Sequence, residues 1–272
     1  MFKTRLISGI FLVIFAIGFI WAGGWCTLGV TLAISLIGMF ELYRLFDFHK
    51  SILALAGYLA AIIYFVNLKF NFVTDILIII LGLFILLMFV YVFAFPKYDA
   101  KQVMAAFFGF FYLAVMLSYV YNLRMIPEKG LYIAYLVFFC SWGCDTCAYC
   151  VGKLCHMTIG NHKMSPKLSP NKSIEGAVGG VVGAGLLTAL YCGIFASKMG
   201  IGSRDIIVLS VIAGLAGLIS MVGDLTASAI KRNYDIKDYG KLIPGHGGVL
   251  DRFDSMIITA PIIYYLAIYL LA

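Results

Sequence analysis

Charge is what this chain has least of. Only 12% of its 272 residues are Asp, Glu, Lys or Arg, and 63% are hydrophobic, whereas a soluble domain carries about 25% charged residues. A protein solvated mainly by water is excluded. One very large buried core is excluded by pattern, because apolar runs of spanning length recur along the whole sequence. Short segments of alternating polarity are missing, which excludes a membrane β-barrel. No small-residue cleavage site follows the first apolar run, Leu6–Trp21, and more runs come after it. That run is expected to stay as a helix and not to be removed as a signal peptide. No soluble domain, internal repeat or low-complexity tract is visible. The seven cysteines are an odd number, mostly inside apolar segments, so no disulfide framework is expected.

What is present is a series of about nine apolar segments: 5–22, 24–45, 51–68, 72–95, 102–122, 131–152, 174–197, 204–230 and 254–272. The second and third are the hardest to separate. Backbone groups in lipid must pair within their own segment, so these are expected to be helices. The predicted fold is all-α, a polytopic integral membrane protein with a single domain over 1–272. Residues 1–130 supply scaffold or dimer spans, and 131–272 supply the catalytic spans with two polar loops, 153–173 and 231–253.

The net charge of +7 sits in those loops, so lipid headgroups and orientation explain it better than nucleic acid. With the N-terminus inside, fifteen Lys and Arg fall on the inner side, from Lys3, Arg5, Arg44 and Lys50 to Arg252, and five fall outside. The imbalance predicts a cytoplasmic N-terminus, both long polar loops in the cytoplasm, and the C-terminus outside.

Asp224, in "ISMVGDLTASAIKR", lies inside an apolar helix, where an unpaired charge costs about 2.5–3.5 kcal/mol on insertion scales. Lys231 is two turns along the same face, with Ser228 between. The plain reading is a carboxylate near a helix end neutralised by Lys231. Further on, "PGHGGVLDRFD" crowds His246, Asp251, Arg252 and Asp254 around a glycine turn. Asp251 and Asp254, three apart at a helix start, would share one face. Carboxylates gathered at a polar–apolar boundary suit Mg²⁺, which takes oxygen ligands together with waters and substrate phosphates. Gly247 and Gly248 would let backbone approach a ligand closely, and free amides before a helix bind phosphate. The plain alternative is a reversal loop, with Asp251 as an ordinary N-terminal helix residue.

The other loop, "HKMSPKLSPNKSIEG", carries Lys163, Lys167 and Lys172 with Ser165, Ser169 and Ser173. Ser173 is a candidate N-cap, with Glu175 in the following first turn. Lysines and hydroxyls before a helix make an anion site; inner-side charge plus capping is the plain reading. Asp145, in "WGCDTCAYCVGK", is a third polar intrusion. The cysteines around it, 144, 147 and 150, recur along one apolar helix. Metal ligation is possible for such spacing, but a packing stripe is the simpler account.

Residues 228–254, "SAIKRNYDIKDYGKLIPGHGGVLDRFD", resemble the signature of the phosphatidate cytidylyltransferases, the CDP-diacylglycerol synthases. The matching positions are Ser228, Lys231, Arg232, Lys237, Asp238, Gly240, Pro244, His246, Gly247, Gly248, Asp251, Arg252 and Asp254. "WGCDTCAYCVGK" and "SPNKSIEG" are similar to other segments of that family, with Ser173 where the family more often has Thr. The family pattern does not call for the cysteines at 144, 147 and 150. The resemblance implies a helical bundle, a homodimer, CTP and phosphatidic acid as substrates, and CDP-diacylglycerol and pyrophosphate as products. It implies Mg²⁺ held by Asp224 and Asp251, a second, different cation being an open question, with Asp254 and Asp238 as auxiliary ligands. Lys231, Arg232, Lys237 and Arg252 would hold phosphates; His246, Gly247 and Gly248 would shape the nucleotide pocket. Lys167, Ser169, Lys172 and Ser173 would meet CTP or the lipid phosphate, and Asp145 would orient a basic group or join the metal. A bacterial-type inner or plasma membrane location follows from the same resemblance.

Two other readings compete. A CTP-dependent kinase of polyprenol or lipid alcohols would want the same cations but would transfer the γ-phosphate. A transporter would use Asp145, Glu41 and Asp224 along a pathway, yet the charges cluster on one side and no repeat is seen. The Asp-Gly-x2-Ala-Arg pattern of CDP-alcohol phosphotransferases is absent.

Overall fold

The computed structural model describes residues 2–158, 160 and 162–270; the side chains at 2–5 and 270 lie outside the described part. The side chains of Lys3 and Arg5, used above to orient the chain, and residues 271 and 272 therefore lie outside the described part. The chain forms two compact units. One holds residues 1–15, 25–118 and 238–252, the other 16–24, 119–237 and 253–272.

The first unit contains most of α1 (Phe2–Ala22) and α2 (Gly24–Leu45), and all of α3 (Ile52–Phe70), α4 (Leu77–Phe93) and α5 (Ala100–Gly109). The predicted second and third segments are indeed separate helices. Ser51 begins α3 by accepting from the Ala54 N–H, and Asn71 ends it in the left-handed conformation (φ 50°), as helix caps commonly do. Asp99 and Gln102 form a reciprocal capping box at the start of α5. The fully buried Tyr43 of α2 lies against Gly57 and Gly109, where any side chain would collide with its ring. Its hydroxyl donates to the Ala106 carbonyl at 2.7 Å. This fixes α2 against α3 and α5, which matters because α2 carries Glu41.

The second unit contains α6 (Tyr119–Arg124), α7 (Gly130–Phe138), α8 (Cys144–Thr158), β1 (Lys163–Ser165), β2 (Ser169–Ser173), α9 (Ile174–Met199) and α10 (Ser203–Asn233). Leu250 and Asp251 start α11 (Leu250–Leu270) in the first unit, and the helix from Phe253 belongs to the second. Helices α8, α9 and α10 approach closely because small residues face one another. Gly180 lies against the Cys144 carbonyl and Ala148, Gly183 against Cys147, and Gly217 against the Cys144 sulfur. Cys144, Ala184 and Met221 form the buried centre. Cys144 and Cys147 thus pack against glycines, while Cys150 is exposed.

Each of the nine predicted segments contains helix among the described residues. Six continuous stretches among the described residues are long and apolar enough to cross a membrane; Leu6–Ala22 and Leu77–Phe93 are shorter apolar helices. Two stretches contain a π-helical turn, at 110–115 and 139–143. The polar segment 153–173 differs from the loop expected there. Helix α8 continues to Thr158, and β1 pairs antiparallel with β2. Both strands are too short and too polar to show a period in sequence.

Candidate active site

In the first unit, the segment 238–252 is a glycine turn held by hydrogen bonds from two sides. Ile243 and Gly247 bridge it, and Gly245 and Gly247 take φ values of 77° and 87°, which a residue with a Cβ adopts only under strain. Asp251 is 6% exposed. Its Oδ2 accepts from the Gly248 N–H at 2.9 Å and the Tyr239 N–H at 2.8 Å. A side chain at Gly247 would meet Asp251 Oδ2 at 2.9 Å and Asp238 Oδ1 at 3.2 Å. Asp238, Gly247, Gly248 and Asp251 are therefore brought together, as the sequence suggested.

The turn is also gripped by residues the sequence reading did not assign to it. Glu41 of α2, 4% exposed, accepts from the Val249 N–H at 3.0 Å and the Leu250 N–H at 2.8 Å. Arg44, one turn on, donates to the Tyr239 carbonyl at 2.5 Å. Ser8 of α1 lies 2.8 Å from His246 Nδ1 and donates to the Pro244 carbonyl at 3.0 Å. The only sequence signal for Glu41 was a carboxylate inside an apolar run, and that signal does not name a partner.

In the second unit, Asp224 of α10 pairs with Lys172 of β2. Its Oδ1 accepts weakly from Ser228 at 3.4 Å. Lys172 is thus an ion partner of Asp224 that the plain reading did not name. The hairpin carries Lys172 to the carboxylate from about fifty residues away. Ser173 caps α9, accepting from the Gly176 N–H at 3.1 Å, as expected. Glu175 in the first turn meets His162. Asp254 is 6% exposed and feels the charges of Asp224, Asp145 and Lys231. These three carboxylates and two lysines share one neighbourhood. Asp145 reaches it from the start of α8, directly after the π-helical turn, a feature often found at functional sites. Lys167 and Ser169 lie on the hairpin, exposed and half-buried respectively. Arg232 and Lys237 are exposed, with Arg232 donating to the Ile236 carbonyl at 3.2 Å.

Mg²⁺ calls for hard oxygen donors, and it commonly takes one or two carboxylates with waters and phosphates. Asp224 and Asp251 have that chemistry, and Asp224 already draws a cation, the Lys172 ammonium. Among the described residues no group of three or more His, Cys, Asp and Glu is arranged to hold a metal.

The fold is that of a mostly helical chain with six stretches, among the described residues, long and apolar enough to cross a membrane. The chain belongs to the Cytidylyltransferase family, whose model matches residues 3–270. It is similar to the phosphatidate cytidylyltransferase of Bacillus subtilis, 35% identical over 155 residues, 57% of this chain and 54% of the relative. It resembles that of Haemophilus influenzae at 38% over 145 residues, 53% and 49%. With that of Thermotoga maritima it shares 33% over 169 residues, 62% and 60%. The matched stretch thus spans about half the length of these relatives.

Proposed function

We propose that the chain is a phosphatidate cytidylyltransferase, joining CTP and phosphatidic acid into CDP-diacylglycerol with release of pyrophosphate. The observation that carries this is the family match over residues 3–270. The folded signature supports it, since Asp238, Gly247, Gly248 and Asp251 converge on one carboxylate cradle. A phosphate monoester has a second pKa near about 6 and is already largely dianionic at pH 7. One of its oxygens attacks the α-phosphorus of CTP, the bond from that phosphorus to the bridging oxygen breaks, and pyrophosphate leaves. No strong base is required. The difficulty is bringing two polyanions together, and cations meet it.

Asp224 and Asp251 belong to different units; it is the resemblance that assigns them to one Mg²⁺. When bound, that ion screens the charge developing on the phosphates. Lys231, Arg232, Lys237 and Arg252 hold phosphate oxygens, and Lys167, Ser169, Lys172 and Ser173 meet CTP or the lipid phosphate. Asp238 and Asp254 stand as auxiliary ligands, Asp145 orients a basic group, and His246 with Gly247 and Gly248 shapes the nucleotide pocket. The reading includes a single membrane domain, nine spans, a homodimer, and the N-terminus and site on the cytoplasmic face. Helix α10 supports that depth. Its 31 residues reach about 46 Å, past a hydrocarbon core of about 30 Å, which lets Lys231 and Arg232 stand beyond the apolar layer.

The test is turnover by the purified chain with CTP labelled at either the α- or the γ-phosphate. Transfer of the α-label to lipid with pyrophosphate release, dependent on phosphatidic acid and Mg²⁺, is expected. Transfer of the γ-label with CDP release would instead make it a lipid kinase.

A further inference from the structure

We infer that Glu41 is a positioning residue for this site: from α2 it sets the start of α11 and, through it, the orientation of Asp251. The activity arm of the test rests on the proposed reaction; the structural arm does not.

Three observations within the first unit support it. The Glu41 carboxylate is buried and accepts both the Val249 and Leu250 N–H groups. These are among the donors that the first turn of α11 cannot satisfy itself, and Asp251 is the next residue. Second, Gly240 and Gly248 have no side chains where Glu41 sits. A Cβ on Gly248 would fall 2.5 Å from Glu41 Oε1, and one on Gly240 would also strike that carboxylate. The two strands of the turn are therefore fitted around the acid. Third, Arg44 holds the Tyr239 carbonyl at 2.5 Å, while the Tyr239 N–H donates to Asp251 Oδ2 at 2.8 Å. One face of α2 thus fixes both ends of the turn. None of these contacts is from Glu41 to Asp251 itself. Glu41 acts through backbone, holding one end of α11 in place.

The experiment compares the full chain with its Glu41→Gln variant in detergent, by amide hydrogen exchange and by steady-state kinetics. Gln offers one acceptor and turns an NH₂ toward a second backbone donor. Exchange at 249–250 is expected to rise about tenfold, the loss of roughly one hydrogen bond, with α3, α9 and α10 unchanged. The kcat is expected to fall about 10²-fold, the scale of an ångström-sized misplacement, while KM for CTP moves far less. If Glu41→Gln does not fold, Gly240→Ala displaces the carboxylate from the other side and is read in the same way. Unchanged exchange at 249–250, exchange raised throughout the helices, or raised local exchange with an unaltered kcat would each overturn the inference. If the parent chain turns over no CTP, the proposed reaction fails, and the exchange arm alone decides the positioning.

Discussion

Asp251 carries two duties that substitution can separate. Its Oδ2 receives two backbone N–H groups, and in the proposed reading its charge holds Mg²⁺. Asparagine keeps an oxygen for the donors but loses the charge. Asp251→Asn is therefore expected to fold normally and lose most of its turnover, as loss of a metal ligand would cause. Asp251→Ala loses the acceptor as well and leaves two buried donors unpaired, at about 1–3 kcal/mol each. It should melt measurably lower than the Asn variant; equal melting would show the hydrogen bonds to be idle. At Asp224 the same change frees Lys172 from its partner, and turnover should fall comparably with the fold retained, as size-exclusion chromatography would show. How far such residues were legible depended on sequence distance. The turn, Asp251 at a helix start and Ser173 as a cap are local arrangements, and residue type and spacing announce them. The Lys172 partner of Asp224 and the Glu41 partner of the 249–250 amides come from far along the chain, and nothing in a single sequence says which charged residue will arrive.

Among the elements, the helices were the most legible because lipid imposes one solution on any long apolar run. The hairpin was not, since its three- and five-residue strands are exposed on alternating and non-alternating positions alike. Its end nonetheless governs α9. Ser173→Ala should cost about 1 kcal/mol in thermal or denaturant unfolding, and Ser173→Thr, which keeps the hydroxyl, should cost little. The contact of α8 with α9 and α10 depends on absent side chains. At Gly180 a Cβ would meet Met221 Cε at 2.8 Å and the Cys144 carbonyl at 2.9 Å. Backbone cannot yield as a flexible side chain can, so Gly180→Val is expected to destabilise by about 1–3 kcal/mol or more. Unaltered unfolding of that variant would mean the helices can part without loss.

For the whole molecule, the expected chemistry demands an ion and a side. Chelation by EDTA should abolish CTP turnover, and added Mg²⁺ should restore it. Ca²⁺, which accepts a looser geometry and more ligands, should restore it poorly. The charge asymmetry, fifteen basic residues against five, predicts that thiols introduced at Lys163 and Lys241 in a cysteine-free background react from the cytoplasmic face alone. One at Lys129 should react from the opposite face.

The hydrogen bonds from Val249 and Leu250 to Glu41 span 208 and 209 positions of sequence. During synthesis, which proceeds from the N-terminus at about 5–20 residues per second, α2 is made at least about ten seconds before the amides that complete it. For that interval the growing polypeptide holds an acid in an apolar segment with its eventual donors still unmade. Chains arrested before residue 249 should therefore be the ones that quality-control proteases recognise and clear.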